Sequence, residues 1–164
     1  MLILGMACYK GHAQMAAAAT VGWVIDVHLD VPIDQDSVWT LLKDHAMVSK
    51  LSNGYVQSVV GKDFTLPIPR EVSLQSGQKR EEILTQLDVQ HKFLVYRIDK
   101  ASLPQGLRLV QVAVFTKEHE SGSSSINWKV IIEGNDEAKK QEIVRMKGEI
   151  EHYKAGWSAY LRKD

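Results

Sequence analysis

Residues 136–164, DEAKKQEIVRMKGEIEHYKAGWSAYLRKD, contain no proline and carry a helical apolar rhythm throughout. Ile143, Met146, Ile150, Tyr153, Trp157 and Tyr160 recur at steps of three or four, with Val144 and Leu161 widening the stripe. That spacing predicts one long helix with an apolar face, and it sets Lys139, Lys140, Glu142, Lys147, Glu149 and Lys154 on the other, solvated side. Asp136 and Glu137 at its start and Arg162 and Lys163 at its end suit the helix dipole. A helix carrying three aromatics needs a broad apolar surface to lie on, and the rest of the chain has to supply it.

The upstream residues read as strands. Ser124–Glu133 and Leu107–His119 are long runs joined at Glu120–Ser123, and Gly134–Asn135 leads into the helix. Before them come Lys92–Ile98, a hairpin of Arg70–Leu74 and Gln78–Leu87, and Tyr55–Val60, with a two-proline loop over Gly61–Pro69. Val21–Val31 alternates cleanly: Trp23, Ile25, Val27, Leu29 and Val31 on one face, Asp26, His28 and Asp30 on the other. Pro32 ends that strand. Asp34 is set to cap a helix over Gln35–Asp44 whose Val38, Trp39, Leu41 and Leu42 face inward. A second short helix follows at Val48–Leu51, closed by Asn53–Gly54. The expected fold is α+β: a curved, seven-stranded antiparallel sheet, with two short helices after strand 1, wrapped around a long C-terminal helix.

Composition narrows the function classes. The chain has 164 residues and 45% hydrophobic content, enough for one domain with a sizeable core. Lys plus Arg and Asp plus Glu stand at 20 each, so no net charge draws it to nucleic acid. No apolar run reaches the length of a membrane span, so no integral membrane segment is expected. Cys8 is the one cysteine, which excludes an intramolecular disulfide. Residues 1–20 read as a flexible tail before a domain spanning 21–164. Within the tail Met1–Tyr9 is apolar, but its positive charge, Lys10, follows the apolar stretch, the reverse of a secretory signal. A cytoplasmic location is expected, with export through this segment as the alternative. A homodimer is compatible with the sequence.

The hairpin carries the most specific local information. Arg70, Val72 and Leu74 share a face, so alternation turns Arg70 inward. A two-residue turn at Ser76–Gly77 would force a positive φ on Ser76; a three-residue loop with Gly77 in the left-handed position does not. That loop pairs Leu74 with Gln78, Val72 with Arg80, and Arg70 with Glu82, and it stands Arg70 and Glu82 opposite each other on the face toward the terminal helix. An exposed pair of this kind contributes up to about 1 kcal/mol. Breaking a buried one costs roughly 3–5 kcal/mol. Asp26, His28 and Asp30 share metal-like spacing but lie on the face opposite the apolar one, and no metal site is expected there. The remaining histidines show no paired ligand spacing, and no phosphate loop, nucleophile elbow or dinucleotide fingerprint is present, so no cofactor is expected.

The order of strand, two short helices, six strands and long helix resembles the helix-grip fold of the START-like superfamily, which includes the birch-pollen allergen. Val31-Pro32 followed by Val38-Trp39-Thr40-Leu41-Leu42-Lys43-Asp44 is similar to the opening motif of the polyketide cyclase/dehydrase and lipid-transport family. Arg70, Gly77, Glu82-Ile83-Leu84, Leu87-Asp88, Tyr96-Arg97-Ile98, Ser102-Leu103-Pro104 and Asn127-Trp128 continue the match in order, over about Val21 to Leu161. The chain departs at Leu51 and Leu107, where family members often carry a tryptophan and an aromatic. Those changes reshape a cavity, so no ligand identity carries over.

The resemblance implies a cavity between sheet and helix that takes a hydrophobic or amphipathic small molecule such as a lipid or polyketide. A ligand of about 10–25 heavy atoms in ~300–1,000 Å³ is the expectation. Arg70, Glu82, Tyr96, Trp128, Tyr153 and Trp157 are the candidate ligand-binding residues, with Trp23 and Tyr160 as further lining aromatics; aromatic stripes at such spacings also pack as core. Trp157 is expected near a cavity mouth. Arg70 and Glu82 have three readings: a polar anchor, a structural pair, or the acid/base groups of a cyclase, aromatase or dehydratase. A protein-interaction module is the remaining alternative.

Overall fold

The computed structural model describes residues 22–61, 65–120 and 122–162. The expected tail, residues 1–20, and Cys8 within it lie outside the described residues, as does Lys163.

Seven strands form one antiparallel sheet: β1 (Ile25–Val31), β2 (Val56–Gly61), β3 (Ile68–Leu74), β4 (Lys79–Asp88), β5 (Phe93–Ile98), β6 (Leu107–Glu118) and β7 (Ser124–Gly134). Their order is β1-β7-β6-β5-β4-β3-β2, so each strand after the first crossover lies beside its neighbour in sequence. Alternation does the sorting. β7 buries Ser124, Ile126, Trp128, Val130 and Ile132 and turns the residues between them outward. Two short helices, α1 (Gln35–Lys43) and α2 (Val48–Leu51), bridge β1 to β2, with a 3-10 turn at His45–Met47 between them. Asp34 caps α1 by accepting from the Ser37 amide at 2.9 Å.

The long helix α3 (Asp136–Leu161) crosses the concave face of the sheet. Asn135 caps its start, accepting from the Ala138 amide at 2.8 Å. Met146, Ile150 and Trp157 are buried, and Ile143, Tyr153 and Tyr160 pack partly buried against the same core. At Gly156 the helix meets α2 so closely that a Cβ would stand 2.3 Å from the Leu51 carbonyl oxygen. Only glycine fits there.

Three details depart from the sequence reading. Glu142 and Glu149, expected in solvent, are 3% and 1% exposed, whereas Val144, expected in the stripe, is 73% exposed. The cause is angular: at about 100° per residue Glu142 and Glu149 fall roughly 40° and 60° from Met146, while Val144 falls roughly 160° away. The third is Trp23. The alternation starts as a strand only at Ile25, and the Lys129 ammonium lies over the Trp23 ring at 5.9 Å. Lys129 also pairs with Asp26 at 3.0 Å on the outer face, so Trp23 packs outside the sheet.

Candidate functional site

The β3–β4 turn closes as its glycine requires. Gly77 has φ +83°, its amide donates to the Leu74 carbonyl at 2.9 Å, and the Leu74 amide donates to the Gln78 carbonyl at 2.8 Å. The register that follows pairs Arg70 with Glu82 and Val72 with Arg80. All four face inward, because Val72 is core and the side-chain period of a strand is two.

These charges do not stand as an isolated pair. Arg70 donates to Glu82 Oε2 from Nε at 2.9 Å and lies within 2.6 Å of it through Nη2. Arg80 Nε donates to Glu82 Oε1 at 2.7 Å, so both carboxylate oxygens are engaged. The Arg80 head then grips Glu149 of α3 with two parallel bonds of 2.7 and 2.6 Å. Arg145 extends the chain, donating to Glu149 Oε2 at 3.2 Å and to Glu142 through Nε at 2.9 Å and through Nη2. Three arginines and three glutamates alternate from β3 through β4 into α3, and their formal charges cancel. Paired, hydrogen-bonded charge of this kind is tolerated in an interior where a lone ion is not.

The electrostatics follow. Burial acts to raise the Glu82 carboxyl, but Arg70 and Arg80 overcome it and hold the group below its ordinary value. Burial pushes the Tyr96 hydroxyl well above its ordinary value, and Glu82 and Glu149 push the same way; burial and Glu149 raise Tyr153 likewise. Both phenols therefore remain hydrogen-bond donors at any ordinary pH. The Arg70 guanidinium lies 4.6 Å over the Tyr96 ring, a cation–π contact that fixes its plane.

Around this chain the sheet, α1, α2 and α3 leave an inner cavity of about 60 Å³. Arg70, Glu82, Tyr96, Trp128, Tyr153 and Trp157 all line it, together with Arg80 and aliphatic side chains that include Leu51, Val72 and Val114. Its volume is far below the expected range, because the arginine–glutamate chain and Trp157 occupy the interior. The larger space lies next door. A groove of about 340 Å³ runs between the end of α1 and β3–β4, lined by Leu42, Lys43, His45, Gly61, Ile68, Arg70, Leu84, Leu87 and Leu94. Leu42, Arg70 and Leu94 belong to both spaces, so Arg70 stands at the junction. His45 is half-buried there; burial first, and Arg70 second, hold its imidazole below the usual histidine range.

All six candidate residues thus meet at one cavity. Trp157 is not at a mouth: it is 0% exposed, beside the point where α2 presses on Gly156. Tyr160 lies outside the inner cavity, against α1 and α2. Asp26, His28 and Asp30 lie on the exposed outer face, where Asp26 pairs with Lys129 and Asp30 approaches His119 at 3.6 Å. Arg80, Glu149, Arg145, Lys43 and His45 were not among the sequence candidates. Arg80 was within reach of the hairpin count, since it opposes inward Val72.

The architecture is the Bet v 1-like, or START-like, helix-grip fold. Norcoclaurine synthase from Thalictrum flavum superposes with a TM-score of 0.70 at 15% identity, covering 100% of this chain and 99% of that one. The same enzyme in complex with dopamine and hydroxybenzaldehyde gives 0.69 at 14% identity, over 85% of this chain and 86% of that one. XoxI from Bacillus cereus gives 0.69 at 16% identity, covering 84% and 94%. Neither a family model nor a curated protein sequence matches the chain. No helix among the described residues is long and apolar enough to cross a membrane.

Proposed function

We propose that this domain binds an amphipathic small molecule, with its apolar body in the groove and an acidic or carbonyl head at Arg70. The observation that carries the reading is the position of Arg70, the polar side chain common to groove and cavity. Glu82 and Tyr96 hold it in one orientation, so little ordering entropy is lost when a ligand arrives. The apolar walls, Leu42, Ile68, Leu84, Leu87 and Leu94, suit a lipid-like or aromatic body, and Lys43 on the same groove favours an anion. The fold supports this too, since norcoclaurine synthase is found in complex with two small aromatic molecules.

The competing reading is a polyketide cyclase or dehydratase working in the same place. What favours binding is the state of Glu82: both oxygens accept from arginines, which leaves it a poor proton shuttle. The test uses the anionic dye 1-anilinonaphthalene-8-sulfonate as probe. Arg70→Leu should weaken dye binding by about 1.5–3 kcal/mol, the range for a lost charged hydrogen bond, and Arg70→Lys should restore part of it. Equal binding by the wild type and both variants would overturn the role of Arg70, and a wild type that binds neither the dye nor a fatty-acid panel would overturn the reading.

A further inference from the structure

The hydrogen-bonding inventory of the inner cavity is one-sided. Its charged acceptor is spent: Glu82 Oε1 takes the Arg80 Nε proton and Oε2 faces Arg70 through Nε and Nη2. Its donors are not. The indole Nε1 of Trp157 is buried with no partner, and the residue itself is 0% exposed. The Tyr96 and Tyr153 hydroxyls make no hydrogen bond to a described residue, and both rings line the cavity. A buried donor left unpaired costs roughly 1–3 kcal/mol, so something that brings acceptors belongs here.

The donors stand in two places. Arg70 is at the groove junction, whereas Trp157 lines the inner cavity without taking part in the groove, next to the Gly156 contact with α2. A volume of about 60 Å³ admits only a compact polar head between them. An ammonium head would meet arginine beside a carboxylate already bonded on both oxygens.

Resting on the binding reading above, we infer that the ligand is an oxygen-rich acid: a carboxylate for Arg70 and, within the same compact head, a second acceptor oxygen for the Trp157 N–H. A 2-oxo or 2-hydroxy acid on an apolar body has this chemistry. Amines of the same shape are excluded.

Three matched probes separate the possibilities on the full chain: 4-phenylbutanoate, 2-oxo-4-phenylbutanoate and 4-phenylbutylamine, titrated calorimetrically. The oxo acid should bind about 3- to 10-fold tighter than the plain acid, the worth of one neutral hydrogen bond, and the amine should not bind measurably. Trp157→Phe should bring the ratio of oxo-acid to 4-phenylbutanoate affinity, both measured on the variant, close to one. If that variant does not fold, the ¹H–¹⁵N spectrum of the wild type gives the same answer: the Trp157 indole resonance should move with the oxo acid and stay with the plain acid. Plain-acid binding without any oxo advantage, or an indole resonance that never moves because only a buried water meets it, would overturn this inference and leave the binding reading standing. Tight amine binding would overturn it as well. Failure of all three probes and of the anionic dye would remove both.

Discussion

Arg80 on β4 and Glu149 on α3 meet in two parallel hydrogen bonds of 2.7 and 2.6 Å, both groups almost fully buried, and so tie the sheet to the helix that crosses it. Bidentate geometry makes this the best-formed contact in the chain of charges. Removing either partner alone leaves the other unmatched in the interior. Arg80→Met and Glu149→Leu should each destabilise the fold by roughly 3–5 kcal/mol in urea unfolding. The double variant should be less damaged than the two single losses added together, because it strands no charge at this contact. Strictly additive losses would mean that the pair is not coupled.

Acid should loosen the same network from its other end. Arg70 and Arg80 hold the folded-state carboxyl of Glu82 below its ordinary value of 4.5. The folded state therefore binds this proton less readily than the unfolded state does. The stability from Glu82 is fully present above that ordinary value and is lost as the pH falls through the folded one. Glu82→Gln should lower stability at neutral pH and flatten its fall between about pH 5 and 3. An unchanged acid slope in the variant would assign the acid sensitivity elsewhere.

How much of this was legible varied with how local the information was. The hairpin register was, because a glycine restricts the turn and the turn restricts every pair beyond it: Gly77 leads to Arg70 opposite Glu82 by counting alone. The same count places Arg80 opposite inward-facing Val72. Glu142 and Glu149 were misplaced because their charge argued for solvent, yet a helix buries whatever lies on its inner face when partners exist there, and Arg80 and Arg145 are those partners. The groove was not legible. It is assembled from the end of α1, the 3-10 turn after it, β2, β3, β4 and β5, and no spacing within one element announces a space between six of them.

The close contact of α2 with α3 depends on Gly156. A Cβ there would stand 2.3 Å from the Leu51 oxygen and 2.6 Å from the Asn53 nitrogen, both backbone atoms that cannot rotate away. Gly156→Ala should cost about 1–3 kcal/mol by overpacking, although alanine is the better helix former. The shift has to displace α2 beside Trp157, so the variant should also show faster exchange of the Trp157 indole proton. An alanine variant at least as stable as the parent would show that α2 yields without cost.

Binding should depend on pH through His45. Arg70 on β3 faces it across the groove, Lys43 lines the groove beside it, and Asp44 and Glu82 pull its proton affinity the other way. Burial and Arg70 prevail and hold the folded-state imidazole below its ordinary value of 6.5, so it is largely neutral at pH 7. On this count alone the folded state accepts the proton less readily than the unfolded one, and the free protein loses stability as the pH falls below that value. A bound carboxylate reverses the preference, because the protonated ring then faces an anion. An aromatic acid that stays ionised, such as 4-phenylbutanoate, should therefore bind more tightly at pH 5.5 than at pH 7.5. His45→Gln should remove the difference and leave affinity at pH 7.5 nearly as it was. If the wild type binds the acid equally at both values, His45 does not face the bound head, and the carboxylate lies deeper, between Arg70 and Trp157.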